Sequence, residues 1–556
     1  MSQKQKQFAP DQDVVIAGAG LAGLCLAIQL KRTIPGLRVL IAEKSPHTPQ
    51  PAAHKVGESS VEVASHYFEK VLGLEDLMHD EVKKFGLRFL FSTSDNQDIA
   101  ERPECGPSAF MHVPSFQIDR GQFETALRAR AESLGIEIAI DCAANKAVIG
   151  PGQDENRISL ETAEETHEVS CKWFIDTSGR SGLLKKQLGL EKPNRHHVNA
   201  AWFRLDHSLD IDSWSDCKQW KDRNQHSRRL STNHLMGTGY WIWLIPLTHG
   251  RTSVGIVADD RIHSFKEIST FKSAMEWMTQ HEPQCARQIN GVNHRMMDFK
   301  ALKNYSHDIT QVFSRDRWGI AGDAGLFTDP LYSPGSDFIA MANGYLTDLI
   351  ARDFRREDIE GRIAHYDRAY RLLGRTYLVN YHRQYAIMGN ARVMSSKIVW
   401  DFTMYWGSVA LLYFTNRLCD AAFMERAQPI MQRFNALNYR TQSLLRRWAE
   451  AEIEAPPMPP TFFDYTSLEF LQRLNGDLLK NYDTEELLEQ LTENLNLAQS
   501  LKAELTQEIK RLHPSLEINP TDMHVEKPRL ISLFESMAHG PMAKPGLGLD
   551  SSLTEV

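Results

Sequence analysis

The stretch Val14–Gly23, VVIAGAGLAG, decides the fold. Four apolar residues make a short strand, and Gly18, Gly20 and Gly23 follow at the spacing GxGxxG. LCLAIQLKR then runs with helical periodicity into a second apolar strand, RVLIAEKS. Strand, glycine turn, helix and strand form a βαβ unit, and each glycine has a mechanical reason in it. Gly18 permits the tight turn, Gly20 lets the backbone approach a pyrophosphate, and Gly23 brings helix and strand close together. The helix start supplies unpaired N–H groups and the positive end of a dipole for phosphates. Glu43 ends the second strand about 20 residues further on, where its carboxylate can accept hydrogen bonds from ribose hydroxyls. A dinucleotide is the expected ligand of this end of the chain.

Two later segments narrow the ligand. IDTSGRSG follows the apolar stretch CKWFIDT, and WGIAGDAG sets another strand before glycines and Asp323. An Asp just after a strand suits a ribityl hydroxyl, and a long helix pattern beginning at Gly335–Ser336 suits the electron-rich edge of a flavin ring. Three such elements in this order resemble the glutathione-reductase-like FAD fold of single-component flavin hydroxylases and their relatives. The resemblance implies an α/β protein: a Rossmann-like FAD-binding domain over 12–345, interrupted by a β-rich substrate domain at about 85–120 and 195–305. A helical region over 346–454, a Pro-rich break at APPMPPT, a helical C-terminal extension over 455–538 and a flexible tail over 539–556 complete the expected order. Arg120, in QIDRGQFETAL, matches a position where FAD hydroxylases place an arginine near the cofactor; a helix-start salt bridge is the competing role.

Composition bounds the rest. At 556 residues the chain has room for two or three domains. Its net charge of -8 comes without a long basic run, which excludes nucleic acid as a natural partner. Seven cysteines without a CxxC pair point to reduced thiols and a cytoplasmic setting. The polar start MSQKQKQFAPDQD leads straight into a strand, so no signal peptide is expected. Ile398–Phe414 is apolar but short for a span and carries Asp401 and Gly407, so it reads as a helix packed in protein, without membrane contact. No cluster has metal-ligand spacing, so no metal is expected.

YWIWLIP, Tyr240–Pro246, puts Trp241 and Trp243 on one face of a strand and Ile242 and Leu244 on the other. Such aromatic pairs commonly fill sheet cores. Within an FAD fold, W-x-W-x-I-P resembles the motif of flavin-dependent halogenases. KVGESS at 55–60 is similar to that family's VGES segment, and Lys84 stands five residues before Phe89, as the family's lysine does before its strand Phe. The resemblance covers roughly 12–380. It implies FAD used as FADH2 supplied by a separate flavin reductase, O2, and halide as co-substrate, yielding hypohalous acid that reaches a lysine beside an electron-rich ring. On this resemblance Lys84 holds the oxidant, while Trp241 and Trp243 form a partition between flavin and substrate.

The chain departs from the pattern in one segment. DPLYSPG puts Pro334 where the family has Ser or Thr for halide, and proline offers neither hydroxyl nor N–H. Tyr332 stands where tryptophan-specific members have Glu, so phenol- and pyrrole-type members, some with carrier-tethered substrates, are the closer comparison. The expected function is halogenation of a phenolic or pyrrolic ring. The alternative is an FAD-dependent aromatic hydroxylase or double-bond reductase, motivated by Pro334; a flavin-binding scaffold without turnover is a third.

Overall fold

The computed structural model describes residues 11–46, 50, 55–151, 155–453 and 455–518. Its organising strand is β1 (Asp11–Ala17), whose Val14, Val15 and Ile16 are all buried. A strand covered on both faces belongs inside a parallel sheet. β2 (Val39–Glu43) and β6 (Thr166–Asp176) flank it, both parallel. β5 (Glu137–Ile140) continues the sheet beyond β2, and β13 (Trp318–Ile320) with β12 (Phe313–Ser314) beyond β6, giving the order β12-β13-β6-β1-β2-β5. The register pairs Ala17 with both Ala42 and Asp176, and Asp176 with Ile320. The central strands therefore end on one edge, where an open α/β sheet binds its ligand. Helices α1 (Leu21–Thr33), α3 (Arg120–Ser133) and α4 (Gly335–Phe354) cover this sheet, with α1 packed against both others. Asp119 caps α3 by accepting from the N–H groups of Gly121 and Gln122.

The second sheet is built from β3 (Leu87–Phe91), β4 (Glu104–Gly106), β7 (Val198–Leu205), β8 (Thr232–Gly237), β9 (Tyr240–Leu247), β10 (Arg251–Asp259), β11 (Met296–Leu302) and β14 (Phe462–Asp464). Their order is β11-β7-β10-β9-β8-β3-β4-β14. β9 lies at the centre and is buried on both faces. Trp241, Trp243 and Ile245 join the main core, while Tyr240, Ile242 and Leu244 join a separate cluster on the other side of the sheet. That two-sided burial explains why YWIWLIP is apolar throughout, although its side chains alternate.

The C-terminal part is helical: α5 (Glu360–Val379), α6 (Ala391–Met404), α7 (Leu411–Phe414), α8 (Ala421–Ala451), α9 (Glu469–Asp477) and α10 (Thr484–Leu512). α6 passes through a π-helical stretch, Tyr405–Ala410, into α7, so the apolar run Ile398–Phe414 is one helical path inside the protein. Asp401 is tolerated there because Lys397 Nζ binds it at 2.6 Å and Gln442 Nε2 donates to it at 2.6 Å. Among the described residues, no helix is long and apolar enough to cross a membrane. The extension expected to be helical also contributes a strand. β14 pairs in parallel with β4, and Tyr465 Oη both donates to Leu87 O and accepts from Leu87 N–H. All seven cysteines are free thiols. The tail expected over 539–556 lies outside the described residues.

Candidate functional site

The glycine turns that lie far apart in sequence close on one another at the C-terminal edge of the parallel sheet. Gly18 has φ +107°, a conformation that costs other residues strain. A Cβ added at Gly23 would sit 2.1 Å from Gly18 O and 2.6 Å from Thr177 Oγ1, so helix and strand touch there through hydrogen alone. Thr177 Oγ1 in turn donates to the carbonyls of Ala17 and Gly18. Gly322 faces Ala22 Cβ, which brings the third turn, with half-buried Asp323, to the start of α1. A Cβ added at Gly20 would meet nothing within 4 Å. The turn is therefore open on the side a pyrophosphate needs, and α1 starts without a side-chain cap on its free N–H groups.

Glu43 is oriented by the N–H groups of Ala19 and Ser45, each at 2.8 Å, at the end of β2. Arg120 lies at the start of α3, with Nη1 donating to Val56 O at 2.6 Å and Nη2 to Glu124 at 2.5 Å. The helix-start salt bridge is thus present, while Arg120 Nε is buried without a partner among the described residues. Gly335 opens α4 behind Pro334, again without a side-chain cap. The open cradle, the uncapped helix starts and the placed carboxylates fit a flavin dinucleotide. Asp176, by contrast, is consumed locally by the N–H groups of Ser178 and Leu184.

Beside this edge lies a cavity of about 220 Å³ between the second sheet and the C-terminal helices, lined in part by Lys84, Tyr332 and Pro334. Lys84 is 3% exposed, and its Nζ donates to Ser60 O at 2.8 Å. Burial pulls its ammonium down to about 7, against the opposing pull of the Glu62 and Asp337 carboxylates. Its neighbour Lys83 also lines the cavity, but is exposed and holds its ammonium over the Phe110 ring. Glu62, in α2 (Glu62–His66), and Asp337, in the first turn of α4, also line the cavity. Burial pushes both carboxyls up, Asp337 to about 7. Asp337 accepts from Tyr405 Oη at 2.7 Å and from the Ala64 N–H at 2.9 Å.

Trp241 and Trp243 do not line this cavity; they stand behind it in a series of rings. Tyr332 meets Phe89 edge-on, Phe89 stacks on His234 at 4.6 Å, His234 lies 5.5 Å from Trp241, and Trp241 lies 5.8 Å from Trp243. Both indole N–H groups are anchored. Trp241 Nε1 donates to Tyr385 Oη, which donates to Asp329 at 2.7 Å. Asp329 is fully buried and also holds Tyr305 and His196, so the tryptophan is tied to the loop that leads into α4. Trp243 Nε1 donates to Ser253 Oγ, which donates to Glu58 at 2.7 Å, and Arg204 closes that network on the same carboxylate.

Sequence reasoning gave Glu58 no role and passed over Glu62, Asp337 and Asp329. Glu58 lies within the KVGESS segment and Glu62 two residues beyond it, Asp337 follows Gly335 by two residues, and Asp329 opens the DPLYSPG departure, so a signal of position existed for each. The loop between Asp329 and α4 is strained: Tyr332 and Ser333 have φ +66° and +58°, at roughly 1–3 kcal/mol each. Among the described residues no group of side chains is arranged to hold a metal.

The tryptophan halogenase family model matches residues 91–377, more than half of the chain, and a lycopene cyclase protein model matches residues 13–89. Flavin-dependent halogenase chlA of Dictyostelium discoideum is 25% identical over 452 residues, spanning 72% of this chain and 70% of that protein. A 1H-pyrrole-2-carbonyl-(peptidyl-carrier protein) chlorinase of Pseudomonas fluorescens is 25% identical over 348 residues, spanning 58% of this chain and 72% of that protein. The solved structure of halogenase PltM in complex with phloroglucinol and FAD shares the fold at a TM-score of 0.62 and 15% identity, over 88% of this chain and 96% of that one. With a glycine cradle that fits the cofactor and this match over more than half of its length, the chain belongs to the tryptophan halogenase family and is an FAD-dependent oxidoreductase.

Proposed function

We propose that the protein halogenates an electron-rich phenolic ring, with pyrrolic and carrier-tethered rings as the neighbouring substrate classes, and that Lys84 holds hypohalous acid beside it. The observation that carries this reading is a buried lysine, drawn to about 7, in a cavity that reaches Pro334 at the start of α4, beside Gly335. Gly18, Gly20 and Gly23 would admit the pyrophosphate, Glu43 the ribose and Asp323 the ribityl chain, with Gly335 at the ring edge and Arg120 beside the turn. Bound and reduced by a partner flavin reductase, FAD supplies the electrons that let O2 convert halide into hypohalous acid.

The chain's own residues then handle the oxidant and the proton. Lys84, as an amine, accepts or donates a hydrogen bond to the acid and fixes its halogen near one ring carbon. The ring carbon bonds to halogen as the oxygen–halogen bond breaks; the departing hydroxide takes up a proton from water, and the ring carbon gives up its own proton in turn, so that halogen replaces hydrogen and one water is formed. Asp337, with its carboxyl at about 7, is matched to taking the ring proton near neutral pH. Trp241 and Trp243, held by Tyr385 and Ser253 behind the cavity wall, serve as the partition that keeps the substrate ring from the flavin.

Pro334 favours the second reading, a hydroxylase, because it leaves the start of α4 without the hydroxyl and N–H of the family's halide segment. Mass spectrometry of products formed from phenols and pyrroles, free and carrier-tethered, separates the two. The assay uses a flavin reductase and either chloride or bromide. Halogenated product supports the first reading, and hydroxylated product in halide-free buffer the second.

A further inference from the structure

The two helices that wall the cavity change character along their length in the same sense. On α5 the lining residues Ala369, Leu372 and Leu373 give way, a turn later, to Thr376 and Tyr377 and, just past the helix end, to Asn380. On α8 Met424 and Met431 give way to Asn435 and Asn438. The polar ends meet: Thr376 Oγ1 contacts Asn435 Oδ1, and Asn438 Nδ2 donates to Asn380 Oδ1 at 2.8 Å. One cavity thus has a polar end, shared with Lys84, Glu62 and Asp337, and an apolar arm between α5 and α8.

Two further observations sharpen the contrast. The Tyr377 hydroxyl is buried and has no hydrogen-bond partner among the described residues, although it sits within the field of Asp337 and Glu62. A buried hydroxyl left alone is destabilising, and a ligand hydroxyl relieves that cost. The arm ends at half-exposed Met424 and Met431, one on each side of Pro429, which lacks the N–H that would bond the carbonyl of Glu425. Unbranched thioether side chains conform to a flexible apolar chain better than to a rigid ring.

We propose that the substrate is a phenol bearing an aliphatic chain, with the ring hydroxyl against Tyr377, the reacting carbon at Lys84 and the chain along the arm between α5 and α8. The proposal rests on the reading of Lys84 as the halogenating end and adds the chemistry of the rest of the substrate.

The test is a binding series, read calorimetrically on the FAD-loaded protein without reductase: resorcinol and its methyl, propyl and pentyl derivatives. Affinity is expected to rise up to about fourfold per methylene, the value for moving a CH2 out of water. Met431→Trp, which fills the arm from a half-exposed position, should flatten that rise and leave resorcinol itself unchanged. Leu373→Gln serves as a second variant in case the first folds poorly. Tyr377→Phe should weaken every member by roughly threefold to tenfold without changing the slope. A flat series in the wild type, or an undiminished slope in both arm variants, overturns the proposal. Because binding is read without turnover, failure to halogenate counts against the Lys84 reading and leaves the arm standing.

Discussion

Lys84 shows how a single buried group couples chemistry to stability. Its ammonium is driven down to about 7 chiefly by burial, so near neutral pH a large share of the molecules carry a free amine. If that amine serves the oxidant, halogenated product per O2 consumed should climb between about pH 6 and about pH 8 as the proton leaves. Stability runs in a definite direction as well. The unfolded chain holds this proton up to the ordinary lysine value of 10.5, whereas the folded one releases it at about 7. Stability therefore rises with pH across that window, and the burial penalty is present in full below it. Lys84→Met should raise the denaturation midpoint most at low pH, with the gain shrinking toward pH 10. For catalysis, Lys84→Ala should keep FAD and O2 consumption yet lose at least about a hundredfold of product. Lys84→Arg should fail too, because a guanidinium stays charged. Lys83→Ala, altering an exposed neighbour over Phe110, should retain most activity. Regiospecific product from Lys84→Ala would remove the lysine from the mechanism.

At the scale of elements, the glycine turn and the tryptophan strand show what spacing can and cannot tell. The turn was legible because its constraint is local: a strand, three glycines and a helix must touch, and the close approach of Gly23 to Gly18 O is the physical form of that pattern. Gly23→Ala should therefore cost both fold and flavin. Gly20→Trp should leave the fold intact and abolish FAD binding, since the space beside Gly20 is free in the protein alone. A yellow, fully loaded Gly20→Trp protein would show that the cradle lies elsewhere. In β9 the spacing established only that both indoles share a face. Their anchoring to Tyr385 and Ser253 depends on residues brought in by the fold, which no local pattern announces. Truncating both to Ala would remove two buried indoles at about 3–5 kcal/mol each, so unfolding would mask any partition. Trp241→Phe keeps an aromatic ring, though a smaller one, and deletes the N–H to Tyr385. If the partition reading holds, peroxide release should rise severalfold in this variant while its melting temperature falls modestly.

Across the whole molecule, the cavity was the least legible feature because its walls come from everywhere. Lys84 and Asp337 lie 253 positions apart, and α5, α6 and α8 supply their faces through ordinary amphipathic patterns that carry no motif. The C-terminal extension was read as a separate helical piece behind a Pro-rich break, but β14 completes the second sheet beside β4 and Tyr465 locks onto Leu87, three residues from Lys84. Further along, Leu487, Leu491 and Leu495 of α10 are fully buried, and Asn494 donates to Gly407 O in the π-helical stretch that lines the cavity. Each such leucine contributes about 1.5–3 kcal/mol of burial, against a net stability of roughly 5–15 kcal/mol for a typical protein. Removing residues 456–556 would strip this layer together with the edge of the sheet. The truncated chain should be poorly soluble, or fold with a sharply lower melting temperature and an opened cavity that no longer binds phenols, even where some FAD is retained. Soluble yield, thermal melting and flavin content of the two chains measured side by side decide the matter. A truncated chain that melts and binds phenols like the full one would make the extension an independent module, and the cavity floor would have to be assigned to α6 and α8 alone.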